Sequence, residues 1–108
     1  MSLRRAVVAL VDNAIRHSPP KATVSITVAV TAGRTIELRV TDTGPGLCGL
    51  APDDVFDRFT HSPTEGRRRG FGLGLALVRD IAEQCGGSVQ VESTSPVGTT
   101  FLLRIPPA

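Results

Sequence analysis

Tryptophan and tyrosine are absent from this chain, methionine occurs once and phenylalanine four times. With so few aromatic rings, Val, Ile and Leu must fill most of any core. A hydrophobic content of 41% over 108 residues is enough for a small core, and the length points to one domain. No apolar run is long enough to span a bilayer and no signal-peptide pattern opens the chain. That does not exclude a membrane anchor in a longer protein, because the sequence opens inside a helical pattern with no strand or linker before it; it reads as a piece of a longer chain. Cys48 and Cys85 are far apart and form no Cys-x-x-Cys pair, so free thiols in a reducing cytoplasm are expected. The net charge of +2 is small, Lys21 is the sole lysine, and no basic stripe is interleaved with aromatics. Nucleic acid is therefore not expected as a partner.

What is present is a clear alternation of patterns. Leu3, Ala6, Val7, Leu10, Val11 and Ala14 recur at helical spacing and predict an amphipathic helix ending near His17, before Ser18, Pro19 and Pro20. At about 100° per residue, Ala9, Asn13, Arg16 and His17 run along one flank of that stripe, while Asp12 points away. Val24, Ile26, Val28 and Val30, a turn around Gly33, then Ile36, Leu38 and Val40 predict a β-hairpin. Continuing the period of two aims Asp42 inward at the end of an apolar row, a costly position unless something answers the charge. Pro52 to Phe59 has a short helical look, and Thr60 to Arg69, polar and without period, predicts a mobile surface loop. Leu73 to Cys85 predicts a second, well-buried helix stopped by Gly86 and Gly87. Val89 and Val91 mark another strand, and Thr99, Phe101, Leu103 and Ile105 line one face of the last, with Thr99 inward like Asp42.

Several of these residues carry chemistry. In DTGPG, Asp42 followed by Gly44 and Gly46 lets a backbone pass close to a flat ligand while the carboxylate accepts a hydrogen bond from an exocyclic amine such as that of adenine. A bond of this charged kind is worth about 1.5–3 kcal/mol, enough to prefer adenine to guanine, whose carbonyl would face the carboxylate. A turn-capping role for Asp42 fits the same residues. Thr99 is a second candidate contact to that amine. In GFGLGL, Gly70, Gly72 and Gly74, with Leu73 among them, leave amides free at a helix start, where the dipole favours phosphate; glycine as simple helix punctuation is the alternative. Leu75 stands where GxGxxG requires its third glycine, and no Walker A sequence occurs, so neither a dinucleotide fingerprint nor a P-loop is present. Within Arg67, Arg68 and Arg69 at least one arginine is a candidate phosphate contact, the alternative being solvated surface. Asn13 can give an oxygen to Mg²⁺. Arg16 and His17 extend the same flank as donors toward phosphates, and His17 equally suits a helix C-terminal cap.

Taken together, the sequence strongly resembles the ATP-binding catalytic domain of sensor histidine kinases, within the wider gyrase, chaperone, mismatch-repair and histidine-kinase ATPase superfamily. LVDNAIRHSP looks like the asparagine box, DTGPGL like the first glycine box, VFDRF like the phenylalanine box, GFGLGLALV like the second glycine box and GTTFLLRIP like the terminal strand motif. The resemblance covers almost the whole chain. It implies an α+β two-layer sandwich, with a mixed, mostly antiparallel sheet packed on helices, and ATP between helices and a lid at about residues 60–70. It further implies Mg²⁺ on the phosphates and phosphoryl transfer to a histidine on a separate dimerisation and phosphoacceptor domain, with a response regulator as an indirect partner. Asp42 would hold adenine, Asn13 the metal, and Gly70, Gly72 and Gly74 would flank the lid. Arg58, between Phe56 and Phe59, and Arg69 are candidate phosphate contacts, and both phenylalanines equally suit core packing.

One departure stands out. Four residues before Asn13 the family usually carries a polar residue, Asn in many kinases and a catalytic Glu in the ATP-hydrolysing members, where this chain has Ala9. Alanine can neither ligate a metal nor activate water, so self-contained hydrolysis is not expected. Histidine phosphorylation survives, since the base can sit on the acceptor domain and the catalytic domain positions and neutralises phosphates. His17 and His61 are the only histidines and neither has the setting of a phosphoacceptor helix. The chain is thus expected to bind ATP and Mg²⁺ without autophosphorylating alone. The strand that usually precedes the first helix is also missing, so the sheet is expected to be short by one edge. Two rival functions are a serine kinase of the anti-sigma-factor type and a non-catalytic nucleotide-sensing or interaction module.

Overall fold

The computed structural model describes residues 3–47, 51–56 and 72–107. The first stretch opens with α1 (Leu3–His17), followed by a hairpin of β1 (Ser25–Val30) and β2 (Ile36–Asp42). A 3-10 turn, Pro52–Phe56, leads toward α2 (Gly72–Gln84), and a second hairpin of β3 (Ser88–Ser95) and β4 (Gly98–Ile105) completes the order. The short helical segment expected over Pro52 to Phe59 is described only as far as Phe56; the polar stretch from Thr60 to Arg69 lies outside the described residues.

The strands form one four-stranded sheet in the order β1-β2-β4-β3. Every hydrogen-bonded pair among them is antiparallel, which differs from the mixed sheet expected. The reason is topological. The α2 crossover carries the chain from β2 to a strand running the same way, β3, but β4 turns back from β3 and inserts between the two. The parallel pair is split, as in other split βαβ arrangements.

Both helices lie on one face, α1 over β2 and α2 over β3, packed side by side. α1 lays down Ala6, Leu10 and Ala14, all fully buried, and α2 contributes Leu75, Val78, Ile81 and Ala82. Beneath them the sheet supplies Val40, Phe101, Leu103 and Ile105, and the 3-10 turn adds Val55 and Phe56. The Phe56 ring meets Phe101 edge-on, with centroids 6.0 Å apart and planes at 82°, the orientation the ring quadrupoles favour. At its end α2 closes in a Schellman motif: the Gly86 amide donates to the Glu83 carbonyl at 3.0 Å and the Gly87 amide to the Ala82 carbonyl at 2.8 Å, satisfying carbonyls that the helix leaves open.

The apolar row of β1 is not covered. Ile26, Val28 and Val30 stand opposite Val40, Leu38 and Ile36, so they share the face that carries the helices, yet they are 48%, 61% and 65% exposed. Alternation identifies the strand correctly, but α1 reaches only as far as β2.

The outer face of the sheet is braced by charge. The Arg39 guanidinium donates twice to Glu92, at 2.7 and 2.9 Å, and once to Glu37 at 3.3 Å; Arg104 donates to the other oxygen of Glu37 at 3.0 Å. Leu102, opposite Arg39 and Gln90 on this outer face, is nonetheless only 2% exposed. The hydrogen bonds from Arg39 hold the Glu92 carboxyl below its ordinary range, against a smaller opposing effect of desolvation. A depressed carboxylate pKa contributes stability that is complete above the unfolded-state value and disappears as pH falls through the folded-state value. Glu92→Gln should therefore melt at a lower temperature than the unsubstituted chain at pH 7, with the gap closing on acidification below the carboxylate range. A gap independent of pH in melting curves would assign the loss to packing.

Candidate nucleotide-binding site

Among the described residues only three polar side chains are buried: Asn13 at 2% exposure, Asp42 at 4% and Thr99 at 3%. All three come from the set expected to contact a ligand. Asp42 ends β2 two residues beyond Val40 on the buried face, and Thr99, at the start of β4, is its cross-strand partner. The carboxylate and the hydroxyl are thus neighbours on the inner surface of the two central strands. Asn13 lies on the last full turn of α1, between Leu10 and His17.

The chain around Asp42 is built to approach closely. Asp42 Oδ1 accepts the Gly44 amide at 2.9 Å, an Asx turn that holds the carboxylate in one rotamer. Both roles foreseen for Asp42 are compatible, since one oxygen caps the turn and the group retains further acceptor capacity. A Cβ on Gly44 would collide with the carbonyl of His17, and one on Gly98 with the carbonyl of Asp42. Glycine at these two positions lets the loop after β2 touch the end of α1 on one side and the β3–β4 turn on the other. The Thr43 amide, donating to Ser18 Oγ at 3.3 Å, ties the same loop to the residue that follows α1.

Asn13 is the anomaly. Among the described residues neither its Nδ2 nor its Oδ1 has a hydrogen-bond partner, and both are buried. Leaving such groups unsatisfied costs about 1–3 kcal/mol, a penalty that a purely structural helix residue has no reason to carry. An uncharged carbonyl oxygen held this way is a hard donor of the kind Mg²⁺ accepts, with water and phosphate oxygens filling the rest of its shell. The residue present fits the ion.

The remaining candidates are distributed less evenly. His17 Nδ1–H donates to the carbonyl of Asn13 at 2.9 Å, the capping arrangement, and His17 and Gly44 also line an open cleft with Ser18, Thr43 and Pro96. Arg16 is drawn away from the buried trio: its side chain is 55% exposed and pairs with Asp12, itself 62% exposed, at 3.3 Å. Gly46 is buried at the far end of the DTGPG loop. Gly72 and Leu73 open α2, with Gly74 next. Gly70, Arg58 and Arg69 lie outside the described residues. Thr94 escaped the sequence reading. Its Oγ1 lies 2.9 Å from Thr99 Oγ1, a contact that no local periodicity could announce.

This arrangement has counterparts. The family described as "Histidine kinase-, DNA gyrase B-, and HSP90-like ATPase" matches residues 1–108. The chain belongs to this family. Membership makes ATP its nucleotide. It is 39% identical over 108 residues to a signal transduction histidine-protein kinase/phosphatase MprB of Mycobacterium sp. (strain KMS), an alignment that covers 96% of this chain and 21% of the relative. Among solved structures, a mycobacterial sensor histidine kinase MprB superposes with a TM-score of 0.80 at 34% identity, over 94% of this chain and 70% of that one. Full-length ShkA in complex with AMPPNP superposes with a TM-score of 0.77 at 31% identity, over 96% of this chain and 21% of that one. The chain thus spans about a fifth of the length of the curated relatives it matches. Among the described residues, two helices on a four-stranded sheet make the α/β sandwich of histidine-kinase ATPase domains.

The orphaned amide generates a prediction in which stability and binding move in opposite directions. Asn13→Ala, which removes both unsatisfied groups, adds no volume and favours the helix, should raise the stability of the nucleotide-free chain by about 1–3 kcal/mol while abolishing the Mg²⁺-dependent part of ATP binding. Chemical denaturation with and without Mg²⁺ and ATP reads both. A destabilised variant would mean that the amide has partners the geometry does not reveal.

Proposed function

We propose that this chain binds ATP with Mg²⁺ and presents the γ-phosphate to a histidine on a separate dimerisation and phosphoacceptor domain, in two-component signalling. The observation that carries the proposal is the set of buried polar groups. A carboxylate and a hydroxyl are paired across the central strands, and an amide without partners among the described residues lies on the helix whose end touches the same loop.

Asp42 and Thr99 recognise the adenine amine. The carboxylate accepts its hydrogen bond and discriminates against guanine, which would present a carbonyl there. Asn13 would hold Mg²⁺ through its amide oxygen, and the ion would supply charge neutralisation at the phosphates. Gly44 and Gly46 let the backbone pass close to the base. Gly70, Gly72, Leu73 and Gly74 supply amides for the phosphates at the start of α2, and Arg58 and Arg69 contribute further contacts, with a lid at about 60–70. Arg16 and His17 flank the site; the capping bond of His17 fixes its ring beside the loop. Ala9, half-buried against the core one turn before Asn13, offers no group to activate water, which favours transfer over self-contained hydrolysis. The chain's own task is to bind, orient and shield the nucleotide.

The same proposal makes a response regulator an indirect partner and nucleic acid no partner. It places the domain in the cytoplasm, in keeping with the free, exposed Cys85. No helix among the described residues is long and apolar enough to cross a membrane.

Calorimetric titration with ATP and GTP, with and without Mg²⁺, tests the site. Asp42→Ala should weaken ATP binding by at least about tenfold, the lower end for a charge-assisted bond, and leave weak GTP binding unchanged. Equal affinity for the two nucleotides, or an unaffected variant, would remove the adenine assignment. For the reaction, labelled ATP should leave no stable label on the chain alone and should label a histidine once an acceptor domain is added; label on serine would point to the anti-sigma-factor type instead.

A further inference from the structure

Along β3, Val89 and Val91 stand opposite Leu103 and Phe101 on the helix-bearing face. Simple alternation would next send Ser93 to that face and Thr94 to the outside. The register shifts between Val91 and Ser93, however, so that Ser93 stands opposite Thr100 and Thr94 opposite Thr99. The strand carries one extra residue here, a β-bulge, and its effect is to re-aim Thr94. Three side chains from three adjacent strands, Asp42, Thr99 and Thr94, now share one face in one row. Thr94 Oγ1 lies 2.9 Å from Thr99 Oγ1. On the opposite face the bulge is pinned by the two hydrogen bonds from Arg39 to Glu92.

We propose that Thr94 is a positioning residue of the base pocket, fixing the Thr99 hydroxyl so that its remaining hydrogen-bonding capacity is directed at the adenine edge beside Asp42. A threonine hydroxyl has one proton and two lone pairs and rotates freely about its Cβ–Oγ bond. Engaging one of these positions with Thr94 restricts that rotor before the nucleotide arrives, and preorganisation of this kind appears as affinity and selectivity. The pocket loop also bears on Thr94 directly: a Cβ on Gly46 would lie 3.4 Å from Thr94 Oγ1 and 2.7 Å from the Ser95 carbonyl. The inference rests on the assignment of Asp42 and Thr99 to adenine made above.

A double-mutant cycle on the intact chain tests it, read by calorimetric titration with ATP and GTP. Thr94→Val keeps the shape on an exposed edge strand that tolerates valine, and should weaken ATP binding about fivefold, the effect of one neutral hydrogen bond. The preference for ATP over GTP should fall by the same factor, which a merely structural role would not produce. Thr94→Ser should restore both. In a Thr99→Val background, Thr94→Val should have no further effect. Unchanged ATP binding by Thr94→Val, failure of Thr94→Ser to restore it, or effects of Thr94→Val and Thr99→Val that simply add would each overturn the proposal. If Thr99→Val weakens ATP binding and Thr94→Val does not, only the role of Thr94 falls; if Thr99→Val itself has no effect, the adenine assignment falls with it.

Discussion

Asp42 is held beneath the helical layer with one oxygen bonded to the Gly44 amide at 2.9 Å, and the surrounding architecture is shaped by the need to keep that carboxylate there. A buried charge is tolerated only where donors reach it, and backbone amides reach it only if the chain turns immediately after the strand. Gly44 permits the turn by fitting against the His17 carbonyl, and Gly98 permits β4 to begin against the Asp42 carbonyl. Larger residues at either place would push α1 or the β3–β4 turn away and open the site to water. The end of α1, the DTGPG loop and the start of β4 thus form one interlocked unit.

Around that unit the layers divide their labour. The two central strands, β2 and β4, carry the site at one end and the core along their length, while the edge strands serve other purposes. β3 supplies Glu92 to the outer ion pairs and Thr94 to the inner row. β1 contributes no buried side chain. Burial therefore decreases from the centre of the sheet toward β1, in keeping with helices that span only part of its width. The ion pairs on the outer face are about a third exposed at Arg39 and Glu92, and exposed pairs contribute little by charge alone. Their larger consequence is geometric, since a bidentate grip on Glu92 fixes the one irregularity in β3.

Most of the elements were legible in the sequence because their signals are local. Leu10, Ala14 and the prolines after Ser18 define α1 and its end; the alternation up to Val40 defines β2 and, extended by one period, turns Asp42 inward. Asn13 and Thr99 were legible for the same reason, each placed by counting along its own element. What local counting misses is anything set by a neighbouring strand. The insertion of β4 between β2 and β3 removes the parallel pair, and nothing in either hairpin's sequence declares it. The extra residue before Ser93 reverses the facing of Thr94, an effect that appears only when β3 is aligned against β4. Arg16 shows a different limit: helical geometry puts it on the flank of Asn13, while the end of its long side chain, which counting cannot place, pairs with Asp12 at the exposed surface.

Asn13 and Ala9, one turn apart on α1, show what kind of catalyst such a site can be. A site that hydrolyses unaided needs a group to activate water beside the phosphates, and alanine, packed against the core, contributes only a methyl. Asn13 offers an uncharged donor, suited to holding a cation and unsuited to accepting a proton from water at neutral pH. On the proposed reading, an amide without partners among the described residues is tolerated because the penalty is recovered when ligand binds, whereas a half-buried glutamate at Ala9 would demand its own compensation at all times. On that reading the helix therefore holds the cation that neutralises the phosphates and supplies no proton acceptor. In such a division of chemistry, the nucleophile and its base come from whatever surface docks against the phosphates, and the timing of transfer is set by docking.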